Sequence, residues 1–162
     1  MRNTKNGNNR QILTIKQNKN IEKQLIDNYF PWYYTDSNIK GGSYYQFTHL
    51  LVLNEQINSN YFEVLAKPIL DKIKYKKLLR VRVNLFTRDS KNIACPKHQD
   101  DGEPHKVCVY YVNTNNGYTF LDQGGKVDSK RNRALFFNGK IMHQVFTQTD
   151  TKRRLTINIT YQ

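Results

Sequence analysis

Arg153-Arg154-Leu155-Thr156-Ile157-Asn158-Ile159-Thr160-Tyr161 alternates polar with apolar side chains from its second residue onward. That is the period of a half-buried strand, in which residues i and i+2 share a face. Arg154, Thr156, Asn158 and Thr160 therefore lie on one side, and Arg153 falls on the other with Leu155, Ile157 and Ile159. The phase selects Arg154 over Arg153 as the arginine that shares a polar cavity. Upstream, Ala134-Leu135-Phe136-Phe137 is a short apolar run, Asn138-Gly139-Lys140 a turn, and Ile141-Met142-His143-Gln144-Val145-Phe146 a second strand-like stretch carrying a histidine. Further back stands Lys97-His98-Gln99-Asp100-Asp101-Gly102.

In an extended segment His98 and Asp100 point to the same side while Gln99 turns away. With His143 they make two imidazoles and one carboxylate, a set that leaves half the positions of an octahedral metal open and suits non-haem iron(II). Each residue also has a plainer reading. His98 to Gly102 has the composition of a polar turn, and a histidine among apolar neighbours serves as a satisfied structural group. Zinc is the competing metal, although it favours tetrahedral sites rich in histidine or thiolate. A guanidinium fork facing such a centre matches a carboxylate bidentately, so an inward Arg154 suits a dicarboxylate ligand.

His-x-Asp, a distal histidine, and an arginine opening the final strand resemble the 2-oxoglutarate and Fe(II)-dependent oxygenase superfamily, in its prolyl-4-hydroxylase-like branch. The resemblance covers roughly Arg80 to Tyr161. Its texture is similar to small oxygenases of phage and other viral genomes, through Leu79 to Leu85, Tyr111 to Thr119 and Asn132 to Phe137, and more loosely through Phe30-Pro31-Trp32-Tyr33-Tyr34. It implies a double-stranded β-helix (a jelly-roll or cupin-like barrel) with His98, Asp100 and His143 on iron. It further implies 2-oxoglutarate anchored by Arg154 and Tyr111, with Asn84 as a looser polar contact. O2 would be the co-reactant and ascorbate the reductant. The activity implied is hydroxylation of a C–H bond, in the first instance on a protein or peptide side chain. A nucleic-acid-modifying oxygenase is the alternative, and a non-catalytic binding module of the same fold the third reading.

The rest of the chain is consistent with one domain spanning 1–162. At 162 residues it is long enough to bury about 70% of its unfolded surface. Lys plus Arg number 26 against 13 acidic residues, a formal charge of +13 with pI near 9.8. Such a field favours a polyanionic partner, or else serves only solubility. Cys95 and Cys108 form no framework that would staple a small domain, which points to a reducing compartment. No run approaches a membrane span, so a cytoplasmic location is expected, host cytoplasm for a viral protein.

Residues 1–10, polar and basic, read as a disordered arm, followed by helices and supporting strands over 11–78 and the catalytic β-helix over 79–162. Ile12 to Ile15 reads as a first strand, and Asn20 as the cap of a helix running to Phe30, with Ile21, Leu25 and Ile26 on one stripe. Gly41-Gly42 marks a turn, and Tyr44 to Leu53 a strand. Asn60 and Glu63 stand at capping-box spacing ahead of a helix with Phe62, Leu65, Ile69 and Ile73 on its inner stripe. Pro68 should divide that helix, and the lysines from Lys72 to Lys77 should lie near its end. Strands are expected from Leu78, over Lys106 to Val112, and over Tyr118 to Leu121. His49, His105 and Asp101 have no partner at ligand spacing and are assigned no role.

Overall fold

The computed structural model describes residues 7–36, 44–100 and 102–162. It is built on a large antiparallel sheet whose strands are β1 (Gly7–Gln11), β2 (Tyr33–Asp36), β3 (Tyr45–Leu53), β4 (Gln56–Ile57), β5 (Leu78–Thr87), β6 (Lys106–Tyr111), β9 (Arg133–Asn138) and β11 (Arg153–Tyr161). Their order is β1-β9-β6-β11-β5-β3-β2, with β4 paired to β3. A second, three-stranded sheet has the order β10-β7-β8, from β7 (Tyr118–Leu121), β8 (Gly125–Asp128) and β10 (His143–Phe146). Two sheets joined in this way form the expected mainly β jelly-roll, a double-stranded β-helix with buttressing helices.

The large sheet has one face for each of two cores, and the strand alternation divides them. Leu155, Ile157 and Ile159 of β11, with Val81 and Val83 of β5 and Cys108 and Tyr110 of β6, pack against the helices α1 (Ile15–Leu25), α2 (Phe62–Leu65) and α3 (Lys67–Leu70). Ile21, Leu25, Leu65 and Ile69 on those helices are almost fully buried, each such side chain contributing about 1.5–3 kcal/mol. The opposite residues of β6, Val107, Val109 and Tyr111, point between the sheets and meet Leu121, Val127, Leu135 and Phe137. The helices hold the outer face; the inner face encloses a cavity.

The N-terminal third departs from the sequence expectation in three places. Thr14 caps α1 in place of Asn20: its hydroxyl accepts the Gln17 N–H at 3.2 Å while the Gln17 side chain accepts the Thr14 N–H at 3.0 Å, a reciprocal capping box. The helix therefore begins at Ile15, consuming part of the run expected to be a strand, and ends at Leu25 well before Phe30. Gly7 to Arg10, expected to belong to a disordered arm, pair instead with β9, since β9 has an open edge that a short polar segment satisfies. Met1 to Asn6, the Gly41-Gly42 turn and Asp101 lie outside the described residues.

Pro68 divides α2 from α3 as expected, standing in the first turn of α3 where its missing N–H costs nothing. Asn60 does not cap α2; Tyr61 takes that place with no side-chain bond. Lys72 to Lys77 follow α3 as a connection into β5. The aromatic stretch splits where β2 begins. Phe30 packs edge-on against Trp32 and Tyr61 at 4.8 Å, whereas Tyr33 and Tyr34 are about 60% exposed on β2. No helix among the described residues is long and apolar enough to cross a membrane.

Candidate metal centre

His98 and His143 reach each other through a two-residue antiparallel bridge, His98 N–H to the His143 carbonyl at 2.9 Å and the reverse at 2.7 Å. The Asp100 N–H donates to the Gly139 carbonyl at 2.9 Å. These backbone bonds hold two segments, far apart in sequence, at one register. The ligand atoms of His98, Asp100 and His143 consequently lie within 4.8 Å of one another. Each histidine Nε2 is 3.8 Å from Asp100 Oδ1, a span that two bonds of about 2.1 Å can bridge.

The imidazoles are prepared for ligation. His143 Nδ1 donates to the Ile141 carbonyl at 2.9 Å and His98 Nδ1 to the Pro96 carbonyl at 3.2 Å, which fixes the tautomer and leaves each Nε2 with its lone pair toward Asp100. Burial pushes the His143 imidazole below the usual histidine range, so it is neutral at physiological pH, the form a metal requires. The donor set and geometry fit a divalent transition metal.

The cavity beneath this cluster has a volume of about 580 Å³ and is lined from both sheets. Arg154, Thr156, Asn158 and Thr160 of β11 all face it, so the strand phase read from the sequence is the one the fold adopts. Arg153 does not line it. Arg154 is 2% exposed, the bulkiest of the fully buried side chains, and has no carboxylate partner among the described residues. Its Nε donates to Ser129 Oγ at 3.0 Å, its Nη2 approaches Thr119 Oγ1 at 3.5 Å, and its guanidinium lies 5.6 Å from the Tyr111 ring and 5.8 Å from the Phe86 ring. Burial lowers its proton affinity. An unpaired buried cation is costly, so this pocket calls for an anion.

The Tyr111 hydroxyl donates to Thr119 Oγ1 at 2.8 Å, the same oxygen that Arg154 approaches, and burial keeps that phenol protonated. Asn84 lines the cavity on β5; its Nδ2 donates to Thr156 Oγ1 at 3.4 Å, while its Oδ1 has no partner. Gly117 makes room for the arginine: a Cβ there would stand 2.9 Å from Arg154 Cδ and 2.8 Å from the Phe146 carbonyl.

Five contributors were not read from the sequence. Ser129 and Thr119 meet Arg154 only because the small sheet folds over the large one. His105, assigned no role, places Nε2 3.3 Å from Asp100 Oδ2 and Nδ1 2.7 Å from the Glu103 carbonyl. It supports the carboxylate from behind. Arg80 and Arg82 are the strand partners of Thr160 and Asn158 and also face the cavity. Among these only the arginines left a trace, the alternation of Arg80, Arg82 and Asn84 with Val81, Val83 and Leu85. His49 is structural, bonded to the Pro31 carbonyl and Ser59 Oγ, each at 2.7 Å. Cys95 and Cys108 are free and buried, and burial raises both thiols, Cys95 to about 11.

Gly139 tests the role of His105. A Cβ at this position would stand 2.1 Å from His105 Nε2, so Gly139→Ala must displace the ring that backs Asp100. Metal affinity is expected to fall about 10- to 100-fold, as for other lost supports of a ligand. Anaerobic Mn(II) titration of the two proteins measures it, and equal affinities would contradict the supporting role.

No family model and no curated protein matches the sequence. Solved structures do. An oxidoreductase of the 2OG-Fe(II) oxygenase family from Burkholderia pseudomallei matches with a TM-score of 0.73 at 11% identity, over 96% of this chain and 84% of that one. A prolyl hydroxylase from Trichoplax adhaerens, in complex with a hypoxia inducible factor oxygen degradation domain peptide, matches at 0.70 and 13% identity over 98% and 84%. The epimerase SnoN from nogalamycin biosynthesis, in complex with Fe3+ and alpha ketoglutarate, matches at 0.64 and 10% identity over 96% and 78%. At such identities the likeness is one of architecture, and the architecture of this chain is that of the 2OG-Fe(II) oxygenases.

Proposed function

We propose that the protein is a single-domain 2-oxoglutarate- and Fe(II)-dependent dioxygenase that hydroxylates a C–H bond. The observation that carries this reading is the coexistence, in one cavity, of a His-Asp-His cluster and a buried arginine with no carboxylate partner among the described residues. His98, Asp100 and His143 hold the metal. Arg154 receives the far carboxylate of 2-oxoglutarate, with Tyr111 and Thr119 completing that corner and the Asn84 side-chain amide N–H as a looser polar contact. When bound, iron with 2-oxoglutarate and O2 supplies the oxidising power. The chain positions, neutralises charge and keeps water from the centre. Its ionisable groups are not needed as acid or base.

Two substrate classes have support. The Trichoplax neighbour carries a peptide, which supports a protein side chain as the target. The net charge of +13 and the arginines of the cavity wall support an anionic substrate instead. The reaction class is tested before the substrate. Purified protein supplied with Fe(II), ascorbate, 2-oxoglutarate and O2 should release succinate slowly even alone. Binding of 2-oxoglutarate without any succinate would leave a non-catalytic binding module.

A further inference from the structure

β5 and β11 form a ladder across the cavity wall: Phe86 stands beside Arg154, Asn84 beside Thr156, Arg82 beside Asn158, and Arg80 beside Thr160. At about 3.3 Å per residue this ladder spans roughly 20 Å, with Arg154 at one end and Arg80 at the other. Arg80 and Arg82 line the same cavity as His98, Asp100 and His143. Arg154 accounts for the cosubstrate; Arg80 and Arg82 remain unexplained.

Both are half-buried, and the Nε atoms of both are buried with no hydrogen-bond partner among the described residues. No carboxylate pairs with either among the described residues. Burial, and next the neighbouring Arg80, push the Arg82 guanidinium down to about 10, with Tyr44 and then Asp100 acting in the opposite sense. Two like charges two residues apart on one strand repel each other and lose solvation together, so the pair is kept at a cost. Across from Arg82, Asn158 Oδ1 is likewise buried and unpartnered, as is Asn84 Oδ1 one rung along. The wall thus presents two cationic donors and two neutral acceptors to whatever enters.

A carboxylate occupies one guanidinium fork with its two oxygens, whereas a phosphate has oxygens enough for both. Acceptor amides ask for N–H donors, which a nucleobase edge supplies and a phosphate alone does not. The cavity volume of about 580 Å³ lies within the range of small-molecule sites and has room for one nucleotide, not a duplex. We infer that Arg80 and Arg82 form the phosphate subsite, and Asn158 opposite them a contact for the base edge, of a nucleotide-bearing substrate whose C–H bond is delivered to the metal centre lining the same cavity. This rests on the oxygenase reading for what happens next, not for the binding itself. The nucleotide is either free or one unit of a single strand, since a paired nucleotide would first have to leave its stack.

The test is anaerobic calorimetry on the full chain loaded with Mn(II) and 2-oxoglutarate, at physiological ionic strength where long-range attraction is screened. The probes are inorganic phosphate, a nucleoside monophosphate, a short single-stranded oligonucleotide and a proline-containing peptide. The proteins are the wild type, Arg82→Gln, Arg80→Gln and, to remove the same charge from the exposed surface of α1, Lys19→Gln. Nucleoside monophosphate affinity is expected to drop at least tenfold in Arg82→Gln and Arg80→Gln and to stay within twofold in Lys19→Gln, with inorganic phosphate competing. Tighter binding of the single strand assigns the source as nucleic acid; tighter binding of the mononucleotide assigns it as a free metabolite.

Equal losses in all three variants would reduce the effect to net charge and overturn the site. So would loss of 2-oxoglutarate affinity in place of nucleotide affinity, or tighter binding of the proline peptide. Arg82→Met should also raise the melting temperature by a few degrees, because an uncompensated buried charge is removed; a lowered value would mark a structural arginine and overturn the assignment. Nucleotide binding without succinate from the wild type would sink the oxygenase reading alone. Succinate without nucleotide binding would sink this site alone.

Discussion

Asp100→Ala is expected to abolish Fe(II) binding and succinate formation while leaving the fold intact. The carboxylate is the one ligand that both histidines face, each Nε2 at 3.8 Å from Oδ1, and without it two neutral imidazoles must hold the ion alone. It also contributes the anionic charge that offsets the metal's own. The backbone around it is tied independently, Asp100 N–H to the Gly139 carbonyl, so truncation of the side chain should cost the apoprotein no more than about 1 kcal/mol. Metal binding then separates the proteins in a thermal melt. At a hundredfold excess over its dissociation constant, a ligand stabilises the native state by about 2.7 kcal/mol, and Asp100→Ala should show none of that gain. His98→Ala and His143→Ala should behave alike in the metal assay. A variant that still binds iron and consumes 2-oxoglutarate would place the centre elsewhere.

Arg154→Ala is expected to retain the metal and lose 2-oxoglutarate by a factor of about 30 to several thousand, the range that follows from about 2–5 kcal/mol for truncating one side of a buried charge pair. The guanidinium sits at 2% exposure with the hydroxyls of Ser129 and Thr119 as its hydrogen-bond partners and no carboxylate paired to it among the described residues, so its charge is left to neutralise a carboxylate bound there. Arg154→Lys should recover part of the affinity, since a point charge survives while the bidentate fork does not. Arg153→Ala, on the opposite face of β11, should stay within about 0.5 kcal/mol of wild type in both stability and cosubstrate binding. Calorimetry with 2-oxoglutarate on Mn(II)-loaded protein reads all three, and a larger loss in Arg153→Ala would refute the assignment of the anchor.

The contrast between those two arginines shows how far the amino-acid order alone reaches. A strand has a period of two, so the alternation from Arg154 to Tyr161 dictates which side chains share a face before any partner strand is known, and Thr156, Asn158 and Thr160 do line the cavity. The same period sets Tyr111 with Val107 and Val109 on the inner face of β6, and the missing N–H of Pro68 divides α2 from α3. That His98, Asp100 and His143 come together was legible because metal ligation calls for particular residue types, and few histidines are present to choose from. Local signals failed where two of them competed. Thr14 and Asn20 both have the chemistry of a cap, and only the reciprocal Thr14–Gln17 bonds, with Ile21 and Leu25 turned into the core, decide between them.

What tertiary structure alone decided is which distant residues meet. Ser129 and Thr119 reach Arg154, and His105 reaches Asp100, through the closure of the small sheet over the large one and the pairing of β6 with β9, neither of which has a sequence period. Gly7 to Gln11 became a strand because β9 offered an edge, not because their own composition favours one. The arginines of β5 were visible as an alternating pair, but that they face a cavity with no carboxylate paired to them among the described residues follows only from the pairing of β5 with β11 and from the closure of the cavity they share with His98, Asp100 and His143. Side-chain phase is a property of one strand, set by backbone geometry residue by residue. Charge compensation and ligand assembly are properties of several strands at once, set by long-range pairing and burial that no single stretch of the chain encodes.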